Sequence, residues 1–511
     1  MDARSSLPPG APARRLGLLL AAGALALATF LPGLARAAGS VPAGATLTAE
    51  QAARDVRVLQ RALKALHPAL TKYRTQEEMD AAFARFEARG KAARTVTEMY
   101  LAATELAAAI RCGHTWTNVR NQSGATRAAL LDAADKLPLL VTLVEGRWLV
   151  LASVDPAVAV GDELTAVNGT PTAQLVARLL PFLRADGSSD GKRLRQLGHD
   201  RDDYSQVDIL LPLLSPPTAG RYRLGLRRRD GAAAEVSVAA CTLASREERL
   251  RRKGRPPVED RWSFEVRDQV GYLVLPTFSF WNSTFDWAAF LDGAFAELSA
   301  RQVPTLVIDL RANEGGDGAI GNALLSHLIT RPLGYYPSQS VTTYERVPYD
   351  LARFLDTWDY AFFDRTGDVE PITEGTAAGK FQLRSCPYAQ RFIQPGPRAY
   401  AGTTYALVGA ENSSATFVLA DLLQRSGAAR LVGQATGGNQ RGLNGGQLAW
   451  VTLPSSGVAV DIPLLAARYS VDTPDASVTP DVPVTRTFEA QAAGVDQELE
   501  AVRRLVGHEG R

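Results

Sequence analysis

The pattern of apolar and polar positions changes twice along this chain. Apolar residues first recur every three or four positions, in the stretches 46–66, 76–90 and 95–112. This spacing predicts three amphipathic helices. Thr95 and Glu98 form a capping box at the start of the third helix, and Gly113 is expected to end it. Residues 115–119 then alternate like a strand. Because three helices precede them, we predict that 38–120 is an N-terminal helical region.

From Leu137 the pattern becomes that of β-strands. LPLLVTLVEGRWLVLASV predicts a hairpin, and the following segment has turn signals at Gly161-Asp162 and Asn168-Gly169. Residues 130–243 resemble a PDZ domain, with an irregular insertion near 183–205. Such a module would bind an extended peptide by strand addition. A basic, proline-containing stretch at 245–261 follows, which we interpret as a solvated linker rather than a nucleic-acid-binding segment.

Beyond the linker, strand-like and helix-like stretches alternate. The predicted strands are 270–278, 305–310, 405–408 and 430–432, and the predicted helices are 286–299, 319–329 and 414–424. This alternation predicts an α/β core with parallel strands over 262–485. Residues 333–400 interrupt the core, are rich in Tyr, Phe and Pro, and are predicted to form a lid or a substrate wall. Residues 486–511 form a C-terminal tail.

The first 37 residues have the features of a secretory signal. Arg14 and Arg15 precede an apolar run, which ends at Ala35-Arg36-Ala37. A membrane anchor is the alternative, but Pro32 breaks the run and the small-x-small site favours cleavage. The mature protein is therefore expected to begin at Ala38, or at Gly39, and to be periplasmic or secreted. The choice between general and twin-arginine export stays open.

The charge and the cysteine content argue against several classes of protein. The formal charge is +2, and residues 1–37 hold four arginines and one aspartate, so the mature chain carries −1. This balance implies no nucleic-acid partner, and no further long apolar run implies stable membrane insertion after cleavage. The three cysteines, Cys112, Cys241 and Cys386, lack metal-ligand spacing. Cys112 is a conceivable nucleophile, but a buried small residue is the favoured interpretation.

Two strand ends carry candidate chemistry. The segment TLVIDLRANEGGDG at 305–318 predicts a buried strand that stops at Gly315 and Gly316, whose amides can face a ligand without a Cβ in the way. The second strand leads to Ser413 and Ser414 at the start of a helix, where the dipole and free amides favour an oxyanion. Together they predict a serine nucleophile facing a glycine oxyanion hole. Alternatively, the glycines only turn the chain and the serines only cap a helix.

A serine nucleophile needs a base. His114 follows a glycine in a predicted loop, where catalytic residues are common. The other histidines lie at a helix end, in the charged insertion, on an apolar helical face and in the tail (His67, His199, His327 and His508). A lysine base downstream of the serine is excluded, because the last lysine is Lys380. The upstream lysines show no motif that would place one near the serine.

These segments resemble the C-terminal processing peptidase and tricorn protease family of serine peptidases. The resemblance rests on five motifs in the family's order: CGHT at 112–115, DLRANEGG at 309–316, NSSA at 412–415, LVGQATGG at 431–438 and VTPD at 478–481. The fold that it implies is α/β: a crotonase-like parallel-strand catalytic core, an N-terminal helical region and a PDZ-like β module. No metal and no cofactor is implied.

The resemblance also implies roles for residues. The family nucleophile precedes a small residue, which matches Ser414 followed by Ala415. The lysine of the processing-peptidase branch is replaced here by Asn439, so the chain resembles the tricorn-like branch, in which a histidine, here His114, is the base. The amides of Gly315 or Gly316 and Ala415 would form the oxyanion hole.

The orienting acid is less well marked. Asp472 and Asp475 lie near the position where the family has a carboxylate, and neither aligns cleanly. The acid usual three residues after the nucleophile is Phe417 here.

The function expected from these features is an exported serine peptidase that acts on peptides or proteins. It would use a Ser–His acyl-enzyme mechanism with a glycine oxyanion hole. The alternative is a catalytically silent protein that binds peptides or lipophilic molecules on the same scaffold. The cleaved bond and the oligomeric state stay open.

Overall fold

The computed structural model describes most of the chain from residue 46 on. The described residues are 46–199, 204–251, 256–336, 338–384 and 392–509. The predicted signal peptide, its cleavage site and Cys386 lie outside them. No helix within these ranges has the length and apolar character needed to cross a bilayer.

Three helices open the described chain, as the sequence predicts. They are α1 (Ala49–Leu66), α2 (Gln76–Ala92) and α3 (Val96–Ala109). Each begins with a capping box in which a threonine and the third helical residue satisfy each other's backbone amides. Their apolar faces meet in one buried cluster that includes Leu59, Leu63, Phe86 and Met99. The predicted N-terminal helices are confirmed.

The end of α3 differs from the prediction. The helix stops at Ala109, and Arg111, with φ of 60°, adopts the left-handed conformation that glycine usually supplies after a helix. Gly113 is needed for a different reason: a Cβ at this position would lie 2.7 Å from the carboxylate of Asp186. The glycine therefore permits a close approach rather than ending the helix.

The predicted strand at 115–119 is wrong. This segment makes a single antiparallel bridge, between Trp116 and Asp461, and then enters a 3₁₀ turn, Val119–Asn121. The side chain of Asn118 accepts from the amide of Arg120 and starts that turn. The alternation of buried and less buried residues reflects a loop packed against the core.

A mixed helical and antiparallel segment follows. Its elements are α4 (Gly124–Leu131), β1 (Leu139–Val144), β2 (Arg147–Ser153), β3 (Glu163–Val167), β4 (Thr170–Pro171), α5 (Thr172–Leu179), α6 (Asp190–Arg195), α7 (Gln206–Leu214), β5 (Arg221–Arg227), β6 (Ala233–Ala239) and α8 (Leu243–Arg249). The strands pair antiparallel in the order β1-β2-β3-β5-β6, with β4 beside β3. The predicted hairpin is confirmed, and the likeness to a PDZ domain stays a prediction.

Part of the predicted linker belongs to this segment instead. Residues 243–249 form α8, and the side chain of Arg246 is fully buried. Its guanidinium donates two hydrogen bonds to Asp208, at 2.7 and 2.9 Å. Burial alone would raise the pKa of Asp208, but His199 and Arg246 hold that pKa well below its ordinary value. One residue of this basic run is therefore part of the interior. The sequence alone does not show this, because the partner carboxylate is distant along the chain.

We expect Arg246→Ala to destabilise the protein strongly. The change would leave the Asp208 carboxylate buried without its guanidinium partner, which typically costs about 3–5 kcal/mol of unfolding free energy. Thermal and urea unfolding of the purified protein would measure the effect. Arg249→Ala is the matched control, since Arg249 is exposed on the same helix and should matter by about 0.5 kcal/mol or less. Equal stability of the two variants would contradict this prediction.

The remaining elements complete the core and its insertion. The strands are β7 (Ser263–Arg267), β8 (Val270–Val274), β9 (Thr305–Asp309), β10 (Leu333–Gly334), β11 (Ser338–Thr342), β12 (Leu355–Asp356), β13 (Val369–Pro371), β14 (Phe381–Leu383), β15 (Phe392–Ile393), β16 (Thr403–Val408), β17 (Arg430–Gly433), β18 (Leu448–Thr452), β19 (Ala459–Pro463), β20 (Ala466–Tyr469) and β21 (Val482–Pro483). The helices are α9 (Trp287–Ala300), α10 (Gly318–Ser326), α11 (Tyr349–Ala352), α12 (Ser414–Ser426), α13 (Phe488–Ala492) and α14 (Gln497–Glu509).

The central sheet carries the predicted parallel arrangement. Its order is β21-β17-β16-β9-β8-β7, and every neighbouring pair is parallel except β7 with β8. Helices α9, α10 and α12 contribute apolar side chains to the buried cluster beside it. Because β9 and β16 are parallel neighbours, with Asp309 opposite Leu407, the loops that follow them emerge at the same edge. The loop with the glycine pair, after β9, and the loop with the serine pair, after β16, therefore lie side by side.

The insertion at 333–400 pairs with strands from elsewhere in the chain. β11 lies between β14 and β20, and β12 pairs with β18. β18 and β19 in turn pack against the N-terminal helices in one apolar cluster. The described part of the insertion is thus anchored in the body of the fold, and its role as a lid or substrate wall stays a prediction.

Candidate active site

Ser414 begins α12 in an unusual backbone conformation. Its φ is +50°, in the left-handed region that non-glycine residues rarely adopt. Gly315 lies directly against it, since a Cβ on that glycine would come within 2.8 Å of the Ser414 Cβ. Strain of this kind is often kept at reactive positions, where it exposes a side chain. The Ser414 hydroxyl has no hydrogen bond to any described residue.

Ser413 is placed differently. It is the residue just before α12, and its hydroxyl donates to the carbonyl oxygen of Glu314 at 3.1 Å. Ser413 makes no side-chain cap to the helix. Its hydroxyl is therefore committed to the neighbouring loop, whereas that of Ser414 is uncommitted.

Two buried asparagines join the loops that follow β9 and β16. The side-chain nitrogen Nδ2 of Asn412 donates to Leu310 O at 2.5 Å and to Asn313 O at 3.0 Å. Asn313 donates to Leu275 O at 2.8 Å, and its oxygen accepts from Thr416 Oγ1 at 2.6 Å. Both side chains are fully buried, so these bonds hold the loops rigidly. Sequence reasoning did not assign them, although polar residues beside the glycine and serine motifs were a visible signal.

The amides proposed for an oxyanion hole are not equivalent. Gly315 N donates to Asn313 Oδ1 at 2.8 Å, so it is occupied within the loop. Among the described residues, neither Gly316 N nor Ala415 N has an acceptor. Ala415 N lies 3.0 Å from the position of a Cβ on Gly315, beside the nucleophile candidate. Gly316 and Ala415 are therefore the two amides free to bind an oxyanion.

His114 and Ser414 line the same small cavity, of about 60 Å³. The other lining residues are Gly113, Arg184, Ala185, Asp186, Lys192, Glu314, Ser413 and Gly437. The imidazole packs against Gly445, where an added Cβ would lie 3.2 Å from Cε1 and Nε2. Its Nδ1 is buried and has no hydrogen-bond partner among the described residues. The cavity thus brings together an uncommitted hydroxyl and an uncommitted imidazole.

Burial sets the protonation state of His114. Loss of solvent lowers the pKa of the imidazole below its ordinary value, and this effect exceeds the opposing influence of the Asp186 carboxylate. The neutral form therefore predominates at neutral pH. A neutral imidazole is the form that can accept a proton from a serine hydroxyl.

The loop that carries His114 is fixed on both sides. Gly113 N donates to Asp186 Oδ1 at 2.8 Å, and Thr115 Oγ1 lies 2.9 Å from His67 Nε2. Because Ala69 N donates to His67 Nδ1, the proton of that ring is on Nε2 and the bond runs from His67 to Thr115. Burial lowers the pKa of His67 to about 3, so this histidine is a neutral structural residue.

Two other histidines also have structural contacts outside the cavity. His199 bonds Asp208 of α7 at 3.1 Å, and the ring of His327 stacks on Phe295 at 4.4 Å. The side chain of His508 lies outside what the structure describes. Among the histidines with described side chains, His114 alone lines the cavity.

The structure brings one lysine to the cavity that the sequence did not predict there. Lys192, on α6, is buried, contacts the carboxylate of Glu314, donates to Glu411 O at 3.3 Å and lies 3.6 Å from its carboxylate. These contacts engage the ammonium group and join α6 to the loops after β9 and β16. No sequence signal marked Lys192, because α6 is one short helix in the irregular insertion.

The two candidate orienting acids are not among the residues that line the cavity. Asp472 is exposed. Asp475 accepts from Ser188 N at 2.9 Å and from Asn439 Nδ2 at 2.6 Å. These bonds, together with Arg441, outweigh burial and lower the pKa of Asp475. Asp475 thus holds the loop that follows Asp186.

Two departures from the resembled family have structural counterparts. Asn439, in place of a lysine, is fully buried and ties residues 186–188 to Asp475. Phe417, in place of an acid, is buried in the apolar cluster of α12 and packs on Gly438. Neither supplies a base.

Other chemistry is not supported by the described residues. Cys112 and Cys241 are buried free thiols, and burial raises the pKa of both. Such thiols are poor nucleophiles. No group of three or more His, Cys, Asp or Glu residues suited to a metal ion occurs in the described ranges.

Comparison with known proteins adds an independent observation. The model of peptidase family S41 matches residues 269–484. The structure of mature CPAF complexed with lactacystin superposes with a TM-score of 0.59 at 18% identity, over 90% of this chain and 98% of that chain. A serine-to-alanine mutant of CPAF gives a TM-score of 0.61 at 16% identity, over 87% and 94% of the two chains. At such identities the likeness concerns the fold. No curated protein sequence matches this chain significantly.

Proposed function

We propose that this chain, which belongs to peptidase family S41 and is a serine-type peptidase, cleaves peptide bonds with Ser414 as nucleophile and His114 as general base. The observation that supports this most is the cavity that Ser414 and His114 share. An uncommitted hydroxyl and an uncommitted imidazole line it together, and the amide of Ala415 follows the nucleophile directly. A serine that only capped a helix would need none of the others.

The mechanism follows from these groups. Ser414 Oγ attacks the carbonyl carbon of the substrate while His114 Nε2 takes the hydroxyl proton. The amides of Gly316 and Ala415 donate to the oxyanion of the tetrahedral intermediate. The imidazolium then protonates the leaving amine, and an acyl-enzyme remains. A water molecule, activated by the same imidazole, attacks this ester and releases the acid product.

The rest of the fold supports a peptide substrate. The antiparallel sheet of β1 to β6 with its covering helix α5 is compatible with a PDZ-like module that binds an extended segment by strand addition. The parallel sheet of the C-terminal part is compatible with a crotonase-like core. Both likenesses belong to the proposal.

Labelling and digestion together test the function. The protein from residue 38 on should react with a fluorophosphonate probe, because only an activated serine attacks it readily. The same preparation should cleave members of a peptide library, with new termini identified by mass spectrometry. Absence of both reactions would contradict the proposal and favour a silent protein that binds peptides or lipophilic molecules.

We also propose that the protein is exported and that its mature form begins at Ala38. The basis is the small-x-small site at 35–37 after an apolar run. Terminal sequencing of protein recovered outside the cytoplasm should return Ala38 or Gly39. An intact N-terminal Met1 on that material would contradict cleavage.

A further inference from the structure

We propose that Asp186 is the positioning acid of this site: its carboxylate accepts a hydrogen bond from Nδ1–H of His114 and stabilises the imidazolium formed when Ser414 attacks. This inference rests on the proposed function for its role in catalysis. The irregular insertion at 183–205 thus contributes a residue to the reaction. Asp186, rather than Asp472 or Asp475, is the acid that orients His114.

Asp186 is a buried carboxylate with one oxygen to spare. Its side chain is 1% exposed and lines the cavity with His114 and Ser414. Oδ1 accepts from Gly113 N at 2.8 Å, one residue before His114. Oδ2 has no donor among the described residues. A buried negative charge with a vacant acceptor is costly unless a donor or a cation meets it.

His114 offers the matching donor. Its Nδ1 is buried and without a partner in the described part of the chain. A carboxylate can only accept, so a bond to Asp186 fixes the proton on Nδ1 and leaves Nε2 free to take the proton of Ser414. No proton passes to Asp186 in this scheme. The carboxylate attracts the positive ring that forms in the transition state.

The other charged groups around His114 are engaged elsewhere. Arg184 stacks over Trp116 at 3.8 Å and donates to Gly113 O. Lys192 contacts Glu314, which also lines the cavity. Among the groups that raise the pKa of His114, the Asp186 carboxylate has the largest influence. Asp186 is therefore the charge best placed to act on the imidazole.

The surrounding contacts hold Asp186 in place. Gly187 N donates to Arg111 O at 3.0 Å, and Ser188 N donates to Asp475 at 2.9 Å. Asn439 binds both Asp475 and the carbonyl of Asp186. Asp475, which the sequence marked as a candidate, thus acts on the reaction through the loop that presents Asp186.

The test is Asp186→Asn, with Asp190→Asn as matched control. Asparagine keeps an acceptor for Gly113 N but removes the charge and presents a donor to Nδ1. We expect kcat to fall by roughly 10²–10⁴-fold with KM nearly unchanged, since a comparable change in a catalytic triad costs about that much. Asp190 is exposed and binds Arg111 and Arg193, so its variant should keep wild-type kcat. A kcat for Asp186→Asn within threefold of wild type would overturn the inference.

A second measurement does not depend on hydrolysis. The titration of His114, followed by NMR of ¹⁵N-labelled protein, should move to lower pH in Asp186→Asn, because the carboxylate favours the charged ring. A merely structural Asp186 would leave this titration in place, and an unchanged titration overturns the inference.

If the variant does not fold, the wild type decides: a downfield Nδ1–H resonance, lost in His114→Gln, supports the bond, and its absence overturns it. A wild type with no probe labelling but with this bond would refute the proposed function alone.

Discussion

Ser414→Ala is expected to abolish hydrolysis and fluorophosphonate labelling. The change removes the attacking oxygen, and the loss of a serine nucleophile in comparable enzymes lowers kcat by about 10⁴–10⁶-fold. Stability should hardly fall, because the Ser414 hydroxyl makes no hydrogen bond to the described residues. Removing the hydroxyl does not relieve the strained φ of +50°, since alanine also carries a Cβ. Initial rates on a cleaved library peptide and gel fluorescence would measure both effects.

Ser413→Ala is the matched control for the neighbouring hydroxyl. This variant loses only the bond from Ser413 Oγ to Glu314 O, which is worth about 0.5–1.5 kcal/mol of stability. Labelling should persist, with a modest loss of rate because the loop beside Gly315 is less firmly held. If Ser413→Ala were inactive and Ser414→Ala active, Ser413 would be the nucleophile.

The elements that carry the site could largely be predicted from the sequence. Apolar runs that end at a glycine pair and at a serine pair define β9, β16 and α12 to within a few residues. The parallel order of these strands then follows from their alternation with helices. The prediction succeeds because each signal is local: burial sets the strand, and glycine or serine sets its end.

The walls of the cavity could not be predicted in this way. Asp186 and Lys192 lie in a segment with little periodicity, more than two hundred residues from Ser414 in sequence. Their positions depend on contacts with Gly113, Glu411 and Glu314, which come from three different segments. A carboxylate on a loop or an ammonium group on a short helix is interpreted as a solvated charge until its partners are known.

The same limit explains the errors in local structure. Arg246 belongs to a basic run that reads as a connector, yet its partner Asp208 makes it part of the interior. Gly113 was expected to end α3, but it permits the close approach of Asp186 instead, and Arg111 takes the left-handed conformation that glycine usually supplies. In both cases one tertiary contact overrides a sound local rule.

His114→Ala is expected to silence the enzyme nearly as fully as the loss of Ser414. A base removed from a catalytic serine in comparable enzymes lowers kcat by about 10⁴–10⁶-fold, because the residues of such a site act as a unit. The fold should survive, since the ring lies in a loop that the hydrogen bonds of Gly113 and Thr115 hold in place. His327→Ala, which changes a histidine outside the cavity, should keep most of the activity.

The pH profile separates a base from a structural histidine. The neutral imidazole is the active form, so activity is present above the pKa of His114 and is lost as the pH falls through it. Because burial lowers that pKa, the acid limb of kcat/KM should lie below pH 6.5, the ordinary value for an imidazole. Residual hydrolysis by His114→Ala should lack this limb. If His114→Ala retained full activity with the same limb, another group, with Lys192 the first to test, would have to serve as the base.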